Sequence, residues 1–230
     1  MIIQYHKIAL AAAFGLAMAF TLSCSSGGDD TPPNGGGKGA LFNENSQIYN
    51  KDGTRYTGSG IIEALCDGCG EYRIRIGSVA NGTANLELNG APDNEYLSEY
   101  LNDFLQDGEL ARCTSYPENI KFFGGRRFGL TNSNGEDIGM LGASYESEQA
   151  LEQIIYYYFS KDGKITCNFY VEDVGEGYVD RYNKIININA KVGWNKVYAR
   201  FYLKDGIEIW EFSTTDILTK ELKWIFLSYQ

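Results

Sequence analysis

From about residue 41 onward, short apolar or β-branched runs alternate with turn signals, the pattern of strands joined by hairpins. The runs predict strands near 58–65, 72–79, 83–88, 120–123, 127–131, 138–145, 154–160, 164–171, 182–190, 196–203, 207–212 and 223–228. Several show a period of two: Tyr72, Ile74 and Ile76 fall on one side, Arg73, Arg75 and Gly77 on the other. In Ile154-Ile155-Tyr156-Tyr157-Tyr158-Phe159 both parities are apolar, as in a central strand packed on two faces. Lys51-Asp52-Gly53, Lys161-Asp162-Gly163 and Lys204-Asp205-Gly206 supply three turns of one composition, and Asn81-Gly82, Asn89-Gly90 and Asn134-Gly135 offer the same chemistry. Tyr156 to Phe169 and Ala199 to Phe212 read as two hairpins of one design.

One stretch has a different period. In residues 93–105 the pairs Tyr96/Leu97, Tyr100/Leu101 and Phe104/Leu105 recur every four residues, with Asp93 as N-cap, Glu95 in the first turn and Gly108 to close the C-terminus. That spacing predicts one amphipathic helix. The number of short strands at hairpin spacing suits a sandwich or a barrel, and the expected architecture is a mainly β, two-layer antiparallel β-sandwich with this helix over its open face.

Before residue 41 the pattern is of another kind. Residues 1–23 have a short polar start with Lys7 and then an apolar run, Ile8 to Phe20, that is short for a bilayer span and reads as an export signal. The run stops at Thr21-Leu22-Ser23-Cys24-Ser25, which resembles the bacterial lipoprotein box. A small residue precedes the cysteine, whose thiol would be acylated as the mature N-terminus, although Thr21 stands where an aliphatic residue is usual. Residues 24–40, rich in Gly, Ser, Asp and Pro, cannot bury apolar surface and form a flexible linker. The domains expected are therefore a lipoprotein signal peptide over 1–23, the acylated Cys24 with its linker over 24–40, and a β-sandwich over 41–230.

The composition agrees with pleated strands and tight turns: 17 Tyr, 12 Phe and 27 Gly against 4 Pro in 230 residues. A formal charge of −10 argues against nucleic acid, whose binding depends on clustered Lys and Arg. The single histidine, His6, lies in the leader, so cleavage would leave a chain without imidazole and remove His-based triads, His zinc sites and His proton shuttles. Four further cysteines, Cys66, Cys69, Cys113 and Cys167, read in an exported chain as disulfides before metal. Cys66 and Cys69 flank an Asp-Gly turn at disulfide distance, which leaves Cys113 with Cys167; a four-thiolate zinc site and a redox Cys-x-x-Cys are the alternatives.

No P-loop or calcium loop is present, and no cofactor or metal is implied. A pair of carboxylates acting on a glycosidic bond needs no histidine, but no motif selects two of the 30 Asp and Glu residues. Trp194, Trp210 and Tyr157 are candidates for an aromatic platform that holds sugar rings, against the commoner reading of such residues as core.

The lipobox with its Gly/Asp linker, Gly58-Ser59-Gly60-Ile61-Ile62, Tyr158 to Thr166 and Gly193-Trp194-Asn195-Lys196-Val197 together resemble uncharacterised paralogous bacterial lipoproteins of Gram-negative anaerobes. The resemblance implies an anchor and a compartment, with no catalytic residue to transfer. The expectation is a cell-envelope lipoprotein at the outer membrane or cell surface, held to the membrane by lipid and non-enzymatic, its β domain binding a polysaccharide or envelope protein or serving surface structure. A surface carbohydrate-binding protein and a carboxylate-based glycoside hydrolase are the alternatives.

Overall fold

A computed structural model of the protein describes residues 44–65, 72–98, 105, 109–125, 128–147, 149–175 and 178–229. The signal peptide, Cys24, the linker and the Cys66–Cys69 pair expected from the sequence lie outside these residues.

Among the described residues fourteen strands follow in chain order: β1 (Glu44–Asn50), β2 (Gly60–Leu65), β3 (Arg73–Ala80), β4 (Thr83–Leu86), β5 (Cys113–Ser115), β6 (Phe122–Gly125), β7 (Phe128–Thr131), β8 (Asp137–Glu146), β9 (Ala150–Phe159), β10 (Gly163–Gly175), β11 (Tyr178–Ala190), β12 (Gly193–Lys204), β13 (Ile207–Ser213) and β14 (Lys223–Ser228). Seven of them close on themselves in the order β1-β4-β3-β2-β7-β8-β14, because β14 pairs antiparallel with β8 and parallel with β1. The architecture is thus a closed seven-stranded barrel with extra strands, which replaces the expected two-layer sandwich. Closure rests on Ile48 lying opposite Trp224, a contact between the two ends of the domain that no local pattern announces.

The barrel is filled. Trp224, Phe128 and Tyr156 form a three-ring cluster, with centroids 6.2 Å (Trp224–Phe128), 6.3 Å (Trp224–Tyr156) and 5.7 Å (Phe128–Tyr156) apart, and Ile48, Ile62, Leu86, Leu130 and Leu141 pack around them without solvent exposure. Charged side chains such as Arg73, Arg75 and Lys223 point outward. This is the opposite of a lipid-facing barrel, which turns its apolar side out.

From β8 the sheet continues through β9, β12, β13, β11 and β10 to β5, and β6 lies along the second half of β9. The two apolar parities of β9 serve two cores. Tyr156 faces the barrel; Ile155, Tyr157 and Phe159 face a second core with Ile165, Ile186, Ile188, Val197 and Phe212. The segment that runs from Leu105 to Ile120 contributes both of those residues and half-buried Leu110 and Tyr116 to that second core. The disulfide between Cys113 and Cys167 ties this segment to β10 across a separation of 54 residues. It also removes both sulfurs from a four-thiolate zinc arrangement.

The helix expected over 93–105 is a second correction. A single 3-10 turn spans Asn94–Tyr96, the Asp93 side chain makes no cap bond, and Leu97 is extended. Ser98 exchanges backbone hydrogen bonds with Phe122, both 2.8 Å, and Tyr96 stacks on Tyr72. Pairing with a strand edge and an aromatic partner outweigh the four-residue period here; 99–104 lie outside the described residues, among which no helix reaches seven residues. Of the two look-alike hairpins, Ala199 to Phe212 is one, whereas in Tyr156 to Phe169 the strands β9 and β10 pair with other partners. There Asp162, instead of shaping a two-residue turn, accepts the Val192 N–H at 2.7 Å.

Candidate functional site: the outer face of β10, β11, β13 and β12

Alternation decides which side chains this sheet exposes. On β10 the odd positions Ile165 and Cys167 are buried, so Lys164, Thr166, Asn168, Tyr170 and Glu172 face out; on β11 Tyr182, Lys184, Ile186 and Ile188 are buried, so Arg181, Asn183, Ile185, Asn187 and Asn189 face out. The register aligns these with the outward residues of β13 and β12 in three rows: Tyr202–Ile209–Asn183–Tyr170, Arg200–Glu211–Ile185–Asn168 and Tyr198–Ser213–Asn187–Thr166. With neighbouring strands roughly 4.8 Å apart, each row runs about 14 Å across. Ile209 and Ser213 in the middle are 8 % and 5 % exposed, whereas Tyr170 at the rim is 45 % exposed. The face is a shallow trough floored by β13.

Its polar groups are organised. The Arg200 guanidinium lies 4.3 Å from the Tyr202 ring centre, its Nε is 3.4 Å from Glu152 and its Nη1 3.9 Å from Glu211. The Tyr202 hydroxyl donates to Glu211 Oε1 at 3.2 Å, and burial beside that carboxylate raises the phenol's pKa. The Lys196 ammonium sits 5.6 Å from the Tyr198 ring centre. Asn183 Nδ2 approaches Asn168 Oδ1 at 3.5 Å, whereas Thr166 Oγ1 is buried and without a hydrogen-bond partner. Glu152, fully buried on the neighbouring β9, accepts the Thr219 and Lys220 backbone N–H groups at 2.9 and 3.1 Å and so holds the 214–222 connection against the sheet beside Arg200.

The charge of this face is inverted relative to the chain. Lys164, Arg181, Lys196, Arg200 and Lys204 stand on it against Glu172, Glu211 and the buried Glu152, in a protein with 20 Lys and Arg against 30 Asp and Glu.

The residues singled out from the sequence lie elsewhere. Tyr157, 3 % exposed, belongs to the second core. Trp194, 5 % exposed, meets Phe123 and Tyr158 edge-on and donates its indole N–H to the Gly90 carbonyl at 2.6 Å. Trp210 is half-buried on the core side of β13, stacked on Tyr182 at 4.7 Å, and its Nε1 donates to Glu208 at 3.2 Å. The three do not form one platform. Next to Trp210, the buried Lys184 Nζ bonds Glu109 at 2.6 Å and lies 5.2 Å from the indole centre; burial lowers the ammonium's pKa and Glu109 opposes the shift.

Tyr170, Tyr198, Tyr202 and the asparagines were missed by the sequence reading. The signal for part of them was present, because every even position from Lys164 to Glu172 is polar or Tyr while Ile165, Cys167, Phe169 and Val171 alternate with them. No group of three or more His, Cys, Asp or Glu able to hold a metal occurs among the described residues. Both carboxylates nearest Arg200 are engaged: Glu152 with the 214–222 connection and Glu211 with Tyr202. No protein-family model, curated protein or solved structure matches the chain.

Proposed function

We propose that this chain is an exported lipoprotein of the cell envelope, cleaved before Cys24 and acylated there, whose barrel domain is a binding module and not an enzyme. The leader, the lipobox-like Thr21-Leu22-Ser23-Cys24 and the Gly/Ser/Asp/Pro stretch after it support the anchor. The observation that carries the binding role is the face of tyrosines, amides and paired charges on β12, β13, β11 and β10. A rigid sheet offers such groups at fixed spacing, which lowers the entropy lost when a ligand is held. The carbohydrate-binding reading is favoured over the hydrolase reading by the same face, where Glu152 and Glu211 are committed to structural partners instead of standing across an open gap.

Labelled palmitate fed to a Gram-negative host that expresses the gene tests the anchor. Label should enter the protein and be lost in Cys24→Ala, with the mature intact mass reporting cleavage at residue 24. A full-length, unlabelled product would overturn this reading.

A further inference from the structure

We infer that the trough on β12, β13, β11 and β10 binds an acidic polysaccharide, one whose sugars carry carboxylates. This rests on the binding role proposed above and names its ligand class. Three independent features of the face select that class.

The first is charge. In a chain of formal charge −10, this face gathers Lys164, Arg181, Lys196, Arg200 and Lys204 against three carboxylates, one of them buried. An electropositive surface set in an electronegative protein attracts an anion while the remaining surface repels it, which fixes where the ligand lands. The second is the aromatic content. Tyr170 is 45 % exposed at one edge, and Tyr198 and Tyr202 stand at the other. Tyrosine gives an apolar ring face with a polar edge, suited to a sugar ring with C–H groups on one side and hydroxyls around it. The third is the set of amides between them: Asn168, Asn183 and Asn187 both donate and accept. A hydroxyl-bearing chain satisfies such groups.

An anionic bilayer would use the charge alone. The cations here are spread over three strands, β10, β11 and β12, and Glu172 and Glu211 lie among them at 3.2 Å from Arg181 and 3.9 Å from Arg200. That arrangement suits anionic groups spaced along a polymer better than a continuous charged sheet, for which a polybasic cluster is the usual solution.

The test is electrophoretic mobility of the full 230-residue chain, made by cell-free synthesis so that Cys24 is unacylated, in gels containing polygalacturonate or its fully methyl-esterified, neutral form. Retardation is expected with polygalacturonate and much less with the ester, weakening as salt screens the charges. The pair Lys164→Glu and Arg181→Glu should weaken binding about tenfold or more, and Tyr170→Ala should weaken it without changing its salt dependence. The same charge change at Lys51→Glu and Lys223→Glu, on the barrel, should leave it intact; circular dichroism checks that each variant folds. No retardation of the parent chain at low salt, or equal loss in both charge-reversal pairs, would overturn the inference. So would binding of the parent to phosphatidylglycerol vesicles, lost in Lys164→Glu with Arg181→Glu, without polysaccharide binding, which would assign the face to a membrane surface. Because the chain tested has no lipid, failure here leaves the palmitate result standing, and failure of labelling leaves this one standing.

Discussion

Lys184 and Glu109 meet at 2.6 Å beneath the stacked rings of Tyr182 and Trp210, a buried ion pair that joins β11 to the segment covering the second core. Removing one partner strands the other charge in a low-dielectric site, so Glu109→Ala should destabilise the protein by ~3–5 kcal/mol in urea unfolding. Replacing both, as Glu109→Leu with Lys184→Met, should recover most of that loss. The lowered pKa of Lys184 sets a sign: the folded state releases this proton at lower pH than the unfolded chain, so between the two values the stability contributed by Lys184 rises with pH. Lys184→Met should flatten the alkaline limb of the stability profile.

The Cys113–Cys167 bridge closes a loop with a sequence separation of 54 residues. Chain-entropy arguments put the stabilisation from such a loop at about 4 kcal/mol. Reduction, or Cys113→Ala with Cys167→Ala, should lower the urea midpoint accordingly. Peptide mass mapping under non-reducing conditions should recover the two cysteines as one linked pair.

Gly82 and Gly135 both have left-handed backbone, with φ of +74° and +81°, in different surroundings. A Cβ on Gly82 would lie 1.7 Å from the Tyr56 carbonyl oxygen, whereas one on Gly135 would meet nothing within 4 Å. Gly135→Ala should therefore cost about 1 kcal/mol, the conformational penalty alone, and Gly82→Ala more than ~2 kcal/mol. Equal losses in thermal unfolding would contradict the close approach of the β3–β4 turn to Tyr56.

Arg73 on β3 makes a two-pronged contact with Asp137 on β8, Nη2 to Oδ2 being 2.7 Å, and reaches Glu63 at 3.4 Å. The Arg73 hydrogen bonds hold Asp137 below the usual carboxylate pKa. This stabilisation is fully present above the unfolded-state value and is lost as pH falls through the folded one. Both side chains are partly solvated, which limits the effect to about 1 kcal/mol. Asp137→Asn should lower stability at neutral pH by that amount and reduce its fall below pH ~4.

Which strands exist was legible wherever a period of two survived, as in Tyr72 to Gly77, and the doubly apolar β9 announced its position between two cores. β1 was not legible, because Glu44-Asn45-Ser46-Gln47-Ile48-Tyr49-Asn50 has no apolar alternation and its backbone bonds to β4 and β14 define it instead. Barrel closure depends on that strand, which is why a sandwich looked as suitable. The candidate face had a similar limit. The polar parity of Lys164 to Glu172 can be read from the chain, but its alignment with Glu211 and Arg200 requires β11 to pair in parallel with β13, a partner from beyond the intervening β12. Trp194 and Trp210 drew notice by residue type; which side of a strand each occupies is a property of the pairing.

The β1–β14 contact also sets an order of events. Synthesis delivers Ile48 long before Trp224, so the cluster of Phe128, Tyr156 and Trp224 lacks its third ring until β14 is made. Until then the barrel is an open sheet with a free β1 edge and an unfilled interior, the state in which strand edges are exposed to other chains. Folding gated by so distant a pairing is slow, on the order of milliseconds to seconds. The six residues of β14 thus act as a latch on the sheet made before them.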